Sequence, residues 1–172
     1  MKTLHIAKSN LAKWLALAVV PVVLLLAVIA SVAAGAWGPE KRATFTVETP
    51  ATYVTFNSIT NNPDQGDERD FVHAKPATDT NANGWKDTVQ VEPGKEYLVR
   101  IYVHNNGADN LNLKALNTRA FAALPTDYTT QATVTGEVRA DNANPARVWD
   151  EVTFTGASKF RMVYINGSAT YT

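Results

Sequence analysis

An uncharged, strongly hydrophobic segment runs from Leu15 to Trp37, and it limits the fold more than any other feature of this chain. All of its residues are hydrophobic except Pro21, Ser31 and Gly35. A helix of these 23 residues would be about 34 Å long, which is enough to cross a lipid bilayer. Because lysines precede the segment, its N-terminal side is expected to remain in the cytoplasm. The sequence therefore predicts that the rest of the chain is exported.

Two forms of this leader remain open. In the first, residues 1–37 contain a signal peptide, and the small residues Ala34 and Ala36 direct cleavage before Trp37. In the second, the segment stays uncleaved, because it is longer than the apolar core of about 7–15 residues that signal peptides usually have. Leu15–Trp37 would then bind the membrane as an anchor. Both forms predict an extracellular or cell-surface protein.

Charge and cysteine content exclude several classes of function. Lys and Arg total 16 and Asp and Glu total 16, so the chain has no basic excess with which to bind nucleic acid. Cysteine is absent, which rules out disulfides, thiolate metal sites and a cysteine nucleophile. An exported domain of this composition must therefore be stabilised by packing alone.

Beyond Ala43 the sequence alternates between short strand-like runs and turns, which is typical of an all-β domain. Pro93-Gly94 and Asn105-Asn106-Gly107 are turn sequences on either side of the strongest run. The spacing of the turns predicts an immunoglobulin-like antiparallel β-sandwich behind a single N-terminal helix. Residues 38–50 are interpreted as a linker with a first strand, and 51–172 as the domain. Strands are predicted over 44–48, 52–57, 71–73, 87–91, 95–104, 111–115, 118–124, 131–139, 148–155, 159–165 and 168–171.

Several short motifs follow one another in a characteristic order along the second half of the chain. Pro93-Gly94 leads into a long strand that ends at Asn106-Gly107. A strand that ends in Leu124-Pro125 and another that closes on Gly167-Ser168-Ala169 come later. This order resembles an immunoglobulin-like repeat of bacterial surface proteins, and the similarity covers roughly residues 88–172.

Residues 52–75, through the motifs at 56–59 and 66–69, are likewise similar to the front part of related exported proteins of unknown function. The resemblance implies an interaction or structural module on the cell surface, without a catalytic site. This chain has one copy where the family has arrays, and it stops at Thr172 within a predicted strand. A truncated domain, in which a free strand edge would pair with a partner, therefore remains an open alternative.

The loop 79–87 carries the strongest local signal for a ligand. Oxygen-bearing side chains alternate along it and Gly84 permits a tight turn, as in loops that wrap around calcium. The predicted ligands are the side chains of Asp79, Asn81, Asn83 and Asp87 and the carbonyl of Trp85. Gln90 stands where a bidentate glutamate would complete the site, so weak binding is expected. A polar loop that merely connects two strands is the alternative.

Two further binding sites are predicted on weaker grounds. Trp85 lies in a polar loop, where an exposed indole would stack on a sugar ring; a partly buried loop anchor is the alternative. A second acidic loop is another cation candidate, although Arg69 lies within it and a solvated loop is the alternative. Its carboxylates are Asp64, Asp67, Glu68 and Asp70.

Signals for catalysis are sparse. Beyond the leader the chain contains only two histidines, His73 and His104, and no metalloprotease, serine-hydrolase or phosphate-loop motif. Asp150 and Glu151 are neighbours on a predicted strand, so they point to opposite faces and would not act together. No catalytic residue is therefore predicted. The preferred function is a non-catalytic module for adhesion or envelope structure, with a surface protein or an envelope glycan as partner. A calcium- or glycan-binding module is the alternative.

Overall fold

A computed structural model describes residues 36–171 of the chain. Residues 1–35 of the leader predicted over 1–37, including Ala34 and most of Leu15–Trp37, lie outside the described residues. Ala36, the last residue before the predicted cleavage point, is exposed. Within the described part, no helix is long and apolar enough to cross a membrane. Cleavage and anchoring of the leader stay predictions.

The secondary structure of the described part consists of strands apart from one short 3-10 helix at Asp109–Leu111. Alternating apolar and β-branched residues favour extended backbone in these segments. The predicted all-β class is therefore confirmed. In chain order the strands are β1 (Val72–Pro76), β2 (Thr88–Val91), β3 (Tyr97–Ile101), β4 (Arg119–Ala123), β5 (Thr129–Arg139) and β6 (Arg147–Phe160).

The strands form two sheets. β1 and β3 make a two-stranded antiparallel sheet in which Val72 lies opposite Ile101. The other four strands make a sheet in the order β2-β6-β5-β4. In this sheet β5 is antiparallel to β6, but β2 is parallel to β6, with Val89 opposite Phe154. The prediction of a wholly antiparallel arrangement is wrong for β2, because alternation indicates which face is buried but not the direction of the neighbouring strand.

The two sheets share one hydrophobic core. β5 buries Ala132, Val134 and Val138 on its inner face, as the alternation predicts. From β6, the ring of Phe154 meets the ring of Tyr97 of β3 edge-on, with centroids 5.9 Å apart. Each large apolar side chain that is fully buried contributes about 1.5–3 kcal/mol, so these contacts hold the small sheet against the large one.

Gly136 of β5 lies where the two sheets come close together. A Cβ atom at this position would collide with Val72 of β1, and it would lie 3.1 Å from the side chain of Ile101 of β3. The absence of a side chain at Gly136 therefore allows the small sheet to pack directly on the backbone of β5.

We expect Gly136→Val to lower the free energy of unfolding by about 1–3 kcal/mol, because β1 and β3 would have to move away from β5. Urea unfolding of the purified protein measures this loss. Ala120→Val on the exposed strand β4 is the matched control and should have little effect. A Gly136→Val protein as stable as the control would contradict the close packing of the sheets.

Two predicted strands near the start of the domain are not strands. In the predicted strand 44–48, only Phe45 forms a bridge among the described residues, with Ile59, and Thr49 N–H donates to Thr46 C=O (3.1 Å) to close a turn. The predicted strand 52–57 is largely buried, but in the described structure its backbone forms a single isolated bridge, between Phe56 and Asn105. Asn57 has a φ of 46°, a left-handed conformation that ends any extended run.

Other predicted strands are shortened or absent. The run 111–115 is interrupted because Leu111 belongs to the 3-10 helix and Asn112 has a φ of 50°. The run 95–104 is reduced to Tyr97–Ile101. β6 ends at Phe160, so the predicted strands over 159–165 and 168–171 are not formed in the described part. Strand propensity predicts extended residues here, but extended residues without a pairing neighbour do not make a sheet.

Candidate functional site

The predicted calcium loop is organised by its own hydrogen bonds. Asn81 N–H donates to the Asp79 carboxylate (2.8 Å) and Asn83 N–H donates to the Asn81 side-chain oxygen (2.9 Å). The carbonyl of Asn81 accepts a hydrogen bond from the ammonium of Lys75 (3.0 Å). Gly84 is buried against Asp79, since a Cβ there would collide with the carboxylate. Several of the loop oxygens thus have partners within the protein, one of them cationic, and calcium binding by the loop stays a prediction.

Trp85 is partly buried between cationic side chains. The Lys75 ammonium lies 4.7 Å from the centre of its ring, and the Arg100 guanidinium lies 4.9 Å from it. These cation–π contacts attach the loop to β1 and β3. Stacking of a sugar on Trp85 would have to compete with them, and the glycan site stays a prediction.

Asp87, the last predicted ligand of the loop, lies against His73 and Asp70. The Nε2 atom of His73 is 3.2 Å from Asp87 Oδ1 and 3.3 Å from Asp70 Oδ1. One ligand atom of each residue lies within 4.8 Å of the others. The side chain of His73 is 16% exposed, and those of Asp70 and Asp87 are 45% and 38% exposed. The three side chains therefore form a cluster that is open to solvent on the carboxylate side.

Backbone pairing holds this Asp70/His73/Asp87 cluster in place. Ala74 and Lys86 exchange two backbone hydrogen bonds (2.9 and 3.0 Å), which sets His73 directly opposite Asp87. The carbonyl of Asp87 also accepts a hydrogen bond from Thr153 N–H of β6 (2.8 Å). The positions of the histidine and one carboxylate are therefore set by strands rather than by flexible loops.

The two carboxylates of the cluster are close together, and their charges shift the pKa values of its members. Burial, followed by the negative charge of Asp70, raises the pKa of Asp87 above its usual range. Burial by itself lowers the pKa of His73, but the carboxylates of Asp70 and Asp87 outweigh burial and raise the pKa overall. The Nδ1 atom of His73 is buried and has no hydrogen-bond partner within the described structure. The raised pKa of His73 means that the two carboxylates favour a positive charge on the imidazole between them.

The cluster unites residues that the sequence assigns to different features. Asp70 belongs to the second acidic loop, Asp87 to the calcium loop, and His73 to neither. Two other acidic-loop carboxylates have partners of their own: Asp67 forms an ion pair with Arg69 (2.5 Å), and Glu68 accepts a hydrogen bond from Asn106 (2.7 Å). The spacing Asp-x-x-His at residues 70–73 is the local signal for the cluster, but the pairing that adds Asp87 is not visible in the sequence.

Glu68 is the centre of a separate, buried polar network. It has no exposed surface, and its carboxylate accepts hydrogen bonds from Asn62 (2.5 Å), Asn106 (2.7 Å) and His104 Nδ1 (2.7 Å). Burial by itself would raise the pKa of Glu68, but these hydrogen bonds outweigh it and lower the pKa overall. The hydrogen bond to Glu68 in turn raises the pKa of His104. The pair is therefore stabilised in its charged form.

This Glu68/His104 pair has the orientation seen in catalytic dyads, with a carboxylate on Nδ1 of the imidazole. Within the described structure, however, the ring of His104 is hydrogen-bonded to Glu68 and to no hydroxyl group. Asn106 also accepts a hydrogen bond from the buried Ser58 N–H (2.5 Å). The network therefore fastens the coil around Ser58 to the segment after β3, which is a structural role.

The strand β4 forms one edge of the large sheet. Among residues 36–171, β5 is its only neighbour, and all five residues of β4 are exposed. Ala120 and Ala122 face one side of the sheet, and Arg119, Phe121 and Ala123 face the other. Both faces of this edge are therefore uncovered, and its outer backbone groups are free to pair.

A second uncovered element follows β6. Val163, Tyr164 and Ile165 are 71%, 54% and 51% exposed, which is unusual for three consecutive apolar residues. In the described part of the chain, the only backbone–backbone hydrogen bond of residues 161–171 is from Ser168 N–H to the carbonyl of Ile165 (3.1 Å). The segment 163–165 has a high strand propensity, but it pairs with no strand in the described part of the chain.

No protein family, curated protein or solved structure matches this chain. Membership of the surface-repeat family therefore stays a prediction from the order of the motifs.

Proposed function

We propose that this chain is an exported, non-catalytic module of the cell surface that builds envelope structure by joining its strands to those of neighbouring copies. We also propose that its two sheets are an immunoglobulin-like sandwich, which would present the edge strand β4 at one side. The exposure of β4 on both faces carries this proposal. A strand edge in that state is a template for strand addition from another chain.

The occupant that fits the edge is a second copy of this chain. The segment 163–165 is apolar, exposed and without a strand partner, and it has the high strand propensity that an added strand needs. The edge of β4 and the segment 163–165 occur on the same molecule, so the segment of one copy can pair with the β4 edge of the next copy. The two surfaces differ, so the contact is heterologous and repeats from copy to copy. A chain of copies on the outer surface would be a structural element of the envelope.

Sedimentation velocity over a range of protein concentrations tests the proposal by measuring the size of the assemblies. The protein is purified from the cell fraction in which it is found. We expect assemblies that grow with concentration. Ala122→Lys should block the edge, because a lysine would put a charge into the added interface. Val163→Lys combined with Ile165→Lys should block the donor segment for the same reason.

Mixing the two blocked proteins is the decisive step. Each would remain a monomer alone, but the mixture should form dimers, because one protein keeps an intact edge and the other an intact segment. Val47→Lys, at a residue of similar exposure (46%), is the control and should assemble like the wild type. Monomers at every concentration, or assembly that both blocked proteins retain, would overturn the proposal. Dimers of the donor-blocked protein alone would show edge-to-edge pairing instead.

A further inference from the structure

We propose that Asp70, His73 and Asp87 bind a divalent transition metal, of which zinc is the best fit. The inference does not rest on the proposed assembly. One imidazole nitrogen and two carboxylate oxygens already lie within 4.8 Å of one another. Imidazole and carboxylate together form a ligand set suited to zinc and related ions.

The distances between the ligand atoms suit a zinc ion. In a tetrahedral site with bonds of about 2.0–2.1 Å, neighbouring ligand atoms lie about 3.3–3.4 Å apart. His73 Nε2 is 3.3 Å from Asp70 Oδ1 and 3.2 Å from Asp87 Oδ1, so a zinc ion would require only small side-chain movements. Calcium takes six to eight oxygen ligands at about 2.3–2.6 Å, which this histidine-containing cluster does not offer.

Two features of the surroundings also favour the binding of a metal ion by the cluster. The strand pairing at Ala74 and Lys86 fixes His73 opposite Asp87 before any ion arrives, so little ordering is needed on binding. The two carboxylates repel each other, and a cation between them removes that repulsion. Three protein ligands leave one position of a tetrahedral ion open, and solvent can reach the cluster because Asp70 and Asp87 are partly exposed. Water or a donor from another molecule would fill it.

Calorimetric titration of the metal-stripped, purified protein with zinc tests the site. We expect one zinc ion per chain, and a rise in Tm on zinc addition, because the ion binds the folded protein. His73→Gln and Asp87→Asn should each weaken zinc binding by at least about tenfold, since each removes a ligand. Asp79→Asn, in the predicted calcium loop, is the matched control and should bind zinc like the wild type.

Cobalt in place of zinc gives a second readout, because a tetrahedral cobalt site has visible absorption that should be absent in His73→Gln. The Tm of each variant without metal shows that it is folded. Absence of zinc binding, or zinc binding that His73→Gln and Asp87→Asn leave unchanged, would overturn the inference. Preference for calcium, with binding lost in Asp79→Asn, would place the cation in the loop and overturn it as well.

Discussion

Replacing Asp150 by alanine is expected to lower the free energy of unfolding by about 2–6 kcal/mol, because it leaves two buried N–H groups without an acceptor. Asp150 lies on the inner face of β6 and is only 1% exposed. Its Oδ2 atom accepts hydrogen bonds from the backbone N–H groups of Phe71 (2.6 Å) and Val72 (2.7 Å). These bonds attach the start of β1 in the small sheet to β6 in the large sheet. Urea unfolding measures the loss, and Glu151→Ala, on the opposite face of β6, is the control.

The same residue should also make stability depend on pH. Burial raises the pKa of Asp150 from the usual 3.8 to about 7, although its backbone hydrogen bonds act in the opposite direction. The folded protein thus binds this proton more tightly than the unfolded chain. The contribution to stability is complete below pH 3.8, decreases as the pH rises, and is lost above about pH 7. The decrease would reach about 4 kcal/mol at most.

Asp150→Asn separates the charge from the hydrogen bonds. Its amide oxygen can still accept from Phe71 and Val72, but it does not titrate. The difference in unfolding free energy between wild type and Asp150→Asn should therefore change steadily between about pH 4 and pH 7 and level off above. Because other groups titrate in both proteins, only this difference isolates Asp150. A difference that does not vary with pH would show that folding does not raise the pKa of Asp150.

The sequence predicts the strands that have an alternating pattern and a buried face. β5 shows the pattern clearly, and Ala132, Val134 and Val138 are buried as expected. The coil around Asn57 was predicted as a strand because it is apolar and β-branched. Its shape instead depends on the Asn57 side chain, which donates to the Tyr102 carbonyl (2.8 Å) and accepts from His104 N–H (2.8 Å). Hydrogen bonds between residues that are distant along the chain are not encoded in local periodicity.

The candidate metal cluster could not be predicted from the local sequence for the same reason. Local spacing drew attention to Asp70 and Asp87, but in two separate loops. Their meeting with His73 depends on the bridge between Ala74 and Lys86, which brings the end of the calcium loop back to β1. The sequence therefore indicates the residue types that bind cations but not the arrangement that gathers them.

Replacing Glu68 by alanine is expected to lower the free energy of unfolding by about 1–3 kcal/mol, because the buried amide of Asn106 would lose its acceptor. The side chain of His104 is 42% exposed, so water would solvate its charge in the variant. The carboxylate of Glu68 accepts hydrogen bonds from three side chains and has no exposed surface, so water does not replace it. Glu48→Ala is the matched control. Glu48 also accepts a hydrogen bond from an asparagine (Asn61, 2.9 Å), but at the surface, where water replaces the lost bond and the effect on stability should be small.

Glu68→Gln tests the charge of the pair and provides a readout that packing alone would not change. Because the hydrogen bond to Glu68 raises the pKa of His104, that pKa should fall toward its usual value in Glu68→Gln, as measured by NMR titration. The raised pKa of His104 stabilises the fold below pH 6.5, and this contribution is lost as the pH rises through the folded pKa. The lowered pKa of Glu68 stabilises the fold above pH 4.5, and this contribution is lost as the pH falls. The destabilisation by Glu68→Gln should therefore be largest between these two values and smaller at alkaline pH. An unchanged pKa of His104 would show that the two side chains are not paired in solution.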